Sequence, residues 1–192
     1  MKPYTEDDVR AILRASQGRR VGGARHGGHA SRKHELIGDG MATAPHARLR
    51  DLRMRVLGGN PSVSSFRNCL PQAIAYGLNA DTGRRALTEL TAPGIVSVFA
   101  WIAIIGGGFR TVRYSAHDLV MNPSGTDFLP DADGTLGFAR PEIELADVLA
   151  IKLALAPDAT LHIQTAFSTS FQEARLGFEA ERADRQRQFF PA

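Results

Sequence analysis

The chain has little sulfur, little lysine and no long apolar run, and each shortage excludes something. Its 192 residues include one cysteine, Cys69, so neither an intrachain disulfide nor a cysteine-rich zinc site can form. Cys69 is expected to be a small buried hydrophobe. The most apolar stretch, Ile95 to Ile105, falls well short of the ~20 residues that a membrane-spanning helix needs. The N-terminal Met-Lys-Pro-Tyr-Thr-Glu-Asp-Asp is acidic where a secretory leader would be basic and then apolar. Any export is therefore expected to use a route other than a cleaved leader.

What the chain does have is arginine. Of its 23 basic residues, 20 are Arg, the side chain whose planar fork matches phosphate and stays charged. The charge is uneven: residues 1–67 carry a net +7 and residues 68–192 a net −4. A basic front half suits a polyanion such as nucleic acid, although frequent arginine can also be a habit of the producing organism. With 43% hydrophobic and 22% charged residues, the chain has enough apolar surface to bury a core.

Thr5-Glu-Asp-Asp8 reads as a helix start, with a threonine cap and acids in the first turn. Val9, Ile12 and Leu13 follow as its apolar stripe. Gly18 to Gly28 holds five glycines and three arginines, the composition of a loop. Residues 1–26 are thus expected to be an appendage, helix plus linker. A second helical region begins near Ala30 and is interrupted at Gly38-Asp-Gly40. It resumes after Pro45 with Leu49, Leu52, Val56 and Leu57 as its stripe and Arg48, Arg50, Arg53 and Arg55 around it. Another helix is expected over Leu70–Leu78.

The Ile95–Ile105 run fits a buried strand or a buried helix. Pro93 before it and Gly106-Gly-Gly108 after it favour the helix. Phe109–Tyr114 alternates like a strand. Residues 122–141 are rich in proline and glycine and read as loop. Val148–Leu155 and Thr160–Phe167 read as two strands joined through Ala156-Pro-Asp-Ala159. From Gln172 the tail is polar. Helices first and strands last give an α+β fold, with N-terminal helices packed on a C-terminal antiparallel sheet.

Three of the six histidines crowd into Arg25-His-Gly-Gly-His-Ala-Ser-Arg-Lys-His34. Histidine exchanges protons near neutral pH, and Arg25, Arg32 and Lys33 would attract a phosphate. Three readings stand at this point: acid–base chemistry beside a phosphate, metal binding by His26, His29 and His34, or a solvated loop without function. The spacing matches no common zinc motif. Five residues along a helix would turn His29 about 140° away from His34, so the two share a site only if His29 precedes the helix. Strict alternation in Leu161–Phe167 places Leu161, Ile163, Thr165 and Phe167 on one face. His162 then lies opposite Thr165, exposed, unless the strand bulges. His117 and His46 read as structural.

The segment Gly27-Gly-His29-Ala-Ser-Arg-Lys-His34 resembles the Gly-Gly-His-x-x-x-x-His opening of the bacterial RNase A-like toxin domains found at the C-termini of contact-dependent growth-inhibition and other polymorphic toxins. Three further pieces follow in that family's order. They are Asn60-Pro-Ser-Val-Ser-Ser-Phe66 after an arginine-bearing helix, Trp101 at the end of an apolar helix, and the closing strand Leu161-His-Ile-Gln-Thr-Ala-Phe167. The resemblance spans roughly residues 27–168. It implies an RNase A-like domain there, with residues 1–26 as helix and linker and 169–192 as a polar tail.

The resemblance also implies metal-independent RNA cleavage by 2′-O transphosphorylation, with no cofactor. Carried over, the catalytic histidine falls on His34, the arginine on Arg53 (with Arg50 and Arg55 within register error), and the threonine on Thr165. The family's tyrosine falls on Phe167, which can stack a base but cannot donate a hydrogen bond. His29 is the remaining candidate for proton transfer. Arg32, Lys33, Arg50 and Arg55 are expected to bind substrate. The implied partners are RNA, such as tRNA, and an acidic immunity protein, with no membrane involved. The implied route is export with or within a larger delivery system, followed by action in a target cell's cytoplasm. The alternatives are a metal-dependent nuclease built on the histidine cluster and a non-enzymatic RNA- or partner-binding module.

Overall fold

The computed structural model describes residues 2–22, 24, 26–35, 55, 62–115, 128–130, 137–139, 142–181 and 187–189. Helix α1 (Glu6–Ser16) starts where its cap predicts. The Thr5 hydroxyl accepts from the Asp8 N–H while the Asp8 carboxylate accepts from the Thr5 N–H, a reciprocal capping box. Its stripe buries Val9 and Leu13 in the main core, beside helix α3 (Leu70–Asn79) and strand β8 (Leu161–Thr169). The helix therefore packs within the same core as the residues beyond 26, where the sequence suggested an appendage. Its apolar stripe is continuous with the body and has no partner of its own.

The remaining elements follow in chain order: α2 (Ala30–His34), β1 (Ser62–Phe66), α4 (Asp81–Leu90), β2 (Ser97–Ala103), β3 (Arg110–Ser115), β4 (Phe128–Pro130), β5 (Gly137–Ala139), β6 (Glu142–Leu145), β7 (Val148–Leu155), α5 (Phe171–Glu181) and β9 (Arg187–Phe189). The fold is α+β. One sheet is ordered β1-β3-β6 and is antiparallel throughout. The other is ordered β8-β7-β2-β9 and is antiparallel apart from the short β9, which runs parallel to β2. β4 and β5 pair separately. The two sheets are joined through Ala146-Asp147, between β6 and β7.

The Ile95–Ile105 run forms strand β2, which corrects the helical reading. β2 is a central strand with β7 on one side and β9 on the other, and its residues Val98–Ile102 are buried on both faces. A strand buried on both sides needs apolar residues at every position, so alternation disappears. Trp101 accordingly lies on a strand, where the family resemblance placed it on a helix. The flanking glycines close turns instead of capping a helix: Gly94, Gly106 and Gly108 all have positive φ.

The second sheet has two unlike faces. Val98, Ala100 and Ile102 of β2, Leu149, Ile151 and Leu153 of β7, and Ile163 and Ala166 of β8 share one core with α1, α3 and α4. This is the expected packing of helices against a sheet. The other face carries Phe99, Trp101, Val148 and Ala150, packed with Ala174 of α5 and with Phe167. Cys69 is buried, as expected. It precedes α3 and its thiol donates to the Arg110 carbonyl.

Candidate active site

The second face of the sheet, together with β1, β3, β6 and α5, walls a cavity of about 660 Å³. His29, His34, Arg55, Thr165 and Phe167 all line it. These five were singled out from three separate stretches of sequence, and folding brings them to one hollow.

The histidine side is built from a tight crossing. Gly27 and Gly28 run against residues 16–18, with the Gly18 N–H donating to the Gly28 carbonyl at 2.8 Å and the Gly28 N–H donating to the Arg19 carbonyl at 2.9 Å. A Cβ on Gly28 would lie 2.2 Å from the Ser16 carbonyl oxygen, and one on Gly27 2.2 Å from that of Gly18. The glycine pair is required because two backbones pass too closely for any side chain. His29 follows as the cap of α2, outside the helix, with φ −147° and ψ 16°. Its N–H donates to the Gln164 carbonyl at 3.0 Å, tying the turn to β8.

Because His29 precedes the helix, the 140° separation does not apply. The His29 and His34 ring centroids are 5.7 Å apart, and the His34 ring lies 5.5 Å from that of Phe167. The His29 Nδ1 faces the Gly27 carbonyl oxygen at 3.0 Å. Burial pushes the His29 pKa down, and the positive charges of Lys33, His26 and Arg55 add to this against the Gly27 carbonyl. These effects favour the uncharged ring, which is suited to accepting a proton or orienting a neighbour.

Strand β8 delivers Thr165 and Phe167 through a bulge. Lys152 pairs with Thr165 while the adjacent Leu153 pairs with Ile163, so Gln164 is the extra residue. The bulge reverses the alternation halfway along. Ile163 turns into the helical core with Ala166, whereas Thr165 and Phe167 line the cavity. The strict alternation that put Ile163 with Thr165 is thereby corrected. His162 falls on the same side of the sheet as Thr165, since its partner Ala154 alternates with Lys152. It does not reach the cavity, and it is not exposed as expected: only 2% of its surface is accessible. Val21 covers this end of the face together with Ala154 and Ala156. Burial, then the nearby Arg19, lowers the His162 pKa.

The other expected contacts divide. Arg32 and Lys33 are exposed and do not line the cavity. They sit on the outward side of a single helical turn whose inward side carries Ala30, Ser31 and His34. Arg50 and Arg53 lie outside the described residues, as do His46 and His117. His26 is exposed, and among the described residues no three His, Cys, Asp or Glu side chains are grouped so as to hold a metal ion. The histidine cluster thus does not form the trio that the metal alternative requires. Among the described residues, no helix is long and apolar enough to cross a membrane.

Several lining residues went unnoticed in the sequence. Lys152 is the one charge within the apolar strand Val148–Leu155, and that isolation was a usable signal. Arg113 of β3 donates to Glu144 at 3.4 Å and to Glu173 at 3.0 Å. The Glu173 carboxylate also accepts from the Thr169 hydroxyl and from the Ser170 N–H. The start of the expected polar tail is thereby fastened to the cavity wall. Ser64 and Ser168 join β1 to β8: the Ser168 hydroxyl donates to the Ser64 Oγ and the Ser64 hydroxyl to the Ser168 carbonyl. No protein family matches the chain, and neither a curated protein nor a solved structure is significantly similar to it.

Proposed function

We propose that the protein is a metal-independent endoribonuclease of RNase A-like fold that cleaves RNA by attack of its own 2′-hydroxyl. The observation that carries this reading is the meeting of His29, His34, Arg55, Thr165 and Phe167 on one cavity. RNA contains its own nucleophile. The enzyme has to remove the 2′-proton, hold the charge that grows on the phosphoryl oxygens, and see the departing 5′-oxygen protonated, for which water reaching the cavity is a sufficient source. His34 is the base, a role that contributes typically 10²–10⁴-fold. Arg55, which lines the cavity beside His29 and His34 and belongs to the expected arginine cluster, takes the clamping role expected of Arg53 or its neighbours. The Thr165 hydroxyl donates to the same oxygens. Phe167, beside His34, offers a ring on which a base stacks.

The decisive experiment is incubation of the protein with RNA, such as tRNA, in excess chelator. Products ending in 2′,3′-cyclic phosphate, lost in His34→Ala, support the reading. Cleavage that stops in chelator points to a metal-dependent nuclease, and binding without cleavage to a non-enzymatic module. A free ribonuclease is toxic to its producer. The same reading therefore includes a toxin role, export with or within a delivery system, action in a target cell's cytoplasm, and an acidic immunity protein that covers the basic approach to His34. Association with such a partner slows steeply as salt rises, because charges are screened within about 8 Å at physiological ionic strength.

A further inference from the structure

We infer that Lys152 is a phosphate-contacting cation of this site, set across strand β8 from His34. The inference rests on the ribonuclease reading and adds a residue that the family resemblance does not assign. Three observations carry it. First, Lys152 lines the same cavity as His34 and Thr165. Second, it is the register partner of Thr165, so the ammonium-bearing side chain and the threonine hydroxyl leave the same face of neighbouring strands, about 4.8 Å apart in the pairing direction. β8 is an edge strand of its sheet, and α2 packs against it. A phosphate lying over Thr165 therefore has His34 on one flank and Lys152 on the other.

Third, Lys152 differs from the cavity's other β-sheet cation. Arg113 is held by Glu144 and Glu173, so its charge is largely answered within the protein. Lys152 forms no ion pair with any described residue. Its neighbours on that face are Thr165 of β8 and Phe99 of β2, which supply no negative charge. Lys152 is the one charged residue of an otherwise apolar strand, and it is partly exposed where it faces the cavity between a hydroxyl and an aromatic ring. The bulge at Gln164 makes the arrangement possible. Without it Thr165 would turn into the core and Lys152 would face no hydroxyl.

The test compares Lys152→Gln, Lys152→Arg and Arg84→Gln, the last an equal charge change on the exposed face of α4. Lys152→Gln is expected to lower kcat for RNA cleavage by about 10²-fold, the size seen when one preorganised charge-stabilising donor is removed. KM should change little and the melting temperature should not fall. Lys152→Arg restores at least a tenth of the activity, and Arg84→Gln leaves it unchanged. Wild-type cleavage with a near-normal Lys152→Gln enzyme overturns this inference and leaves the ribonuclease reading standing. If the wild type does not cut RNA, that reading fails, and binding of inorganic pyrophosphate measured by calorimetry decides the anion site. Binding lost in Lys152→Gln but kept in Arg84→Gln supports it, and binding that is absent or equal in both overturns it.

Discussion

Strands β7 and β8 show two chemistries on one backbone. Toward the helices they present Leu149, Ile151, Leu153, Ile163 and Ala166, none measurably exposed. Toward the cavity they present Lys152, Thr165 and Phe167. The first face is held by area removed from water, roughly 25 cal/mol per Å². The second face gives up part of that gain to keep a cation, a hydroxyl and a ring available. The difference shows why a strand residue's neighbours in sequence say so little about its role: Ile151 and Lys152 are adjacent, and only the pleat separates structure from chemistry.

The largest expected effect falls on the cavity face. His34→Ala should lower RNA cleavage at least 10²-fold, and up to about 10⁴-fold, with the fold retained. On the core face the result inverts. Ile151→Ala should cost about 2–5 kcal/mol in denaturant unfolding, while activity per folded molecule is kept. A His34→Ala protein that cuts normally, or an Ile151→Ala protein as stable as the wild type, would break the comparison.

Gly28 tests how the two faces are joined. Gly28→Ala forces the Ser16 carbonyl away and should cost about 2 kcal/mol or more, a loss in the range of strained backbone substitutions. His29 and His34 should shift with it, so activity falls as well. Both losses are readable by melting and by cleavage assay of the same sample.

Two buried titratable groups give opposite pH trends. Burial raises the Glu35 pKa to about 7, opposed by a hydrogen bond from the Leu70 N–H. Its stabilising neutral form is complete below the ordinary carboxylate range, and the contribution is lost as pH rises through 7. His162 behaves in the reverse way. With its pKa below 6.5, its contribution is complete above pH 6.5 and is lost as pH falls below that. Glu35→Gln should therefore raise stability at pH 8 by about 1–3 kcal/mol and do little at pH 4. His162→Gln should flatten the decline between pH 6.5 and 5. Unfolding midpoints across that range check both.

The smallest effect concerns Phe167, which lines the cavity yet packs against Phe99 and Trp101 with centroids 6.3 and 6.2 Å away. Phe167→Tyr should change cleavage by only a few-fold and stability by less than about 1 kcal/mol if the hydroxyl points into the cavity. A clear melting loss without gained activity, the penalty of a buried unpaired hydroxyl at about 1–3 kcal/mol, would place the ring with the core face.

Local signals carried a good part of the fold. Thr5 with Asp8 marked the start of α1, and alternating or apolar runs marked β3, β7 and β8. Helix α4 escaped notice because it has no side-chain cap and carries Gly83 in its first turn, where a Cβ would strike the Gly77 carbonyl of α3. Its glycine is explained only by a neighbour. At the site, His29, His34, Thr165 and Phe167 were legible as residue types in motifs. Lys152 was marked only by its isolation as the one charge in an apolar strand, and Arg113 by nothing near it in sequence.

What the sequence by itself determined is therefore local: which segments could form a helix, which residues could carry a proton or a charge, and that the front of the chain is basic. Tertiary structure decided the rest. It made Ser97–Ala103, the middle of the Ile95–Ile105 run, a strand, because strands β7 and β9 were there to take its backbone hydrogen bonds on either side. It placed His29 outside α2, because the chain had first to cross residues 16–18. It put Thr165 with Lys152 and sent Ile163 into the core, because one extra residue in β8 reverses the pleat. Each outcome depends on contacts between residues far apart in the chain, which no local pattern encodes.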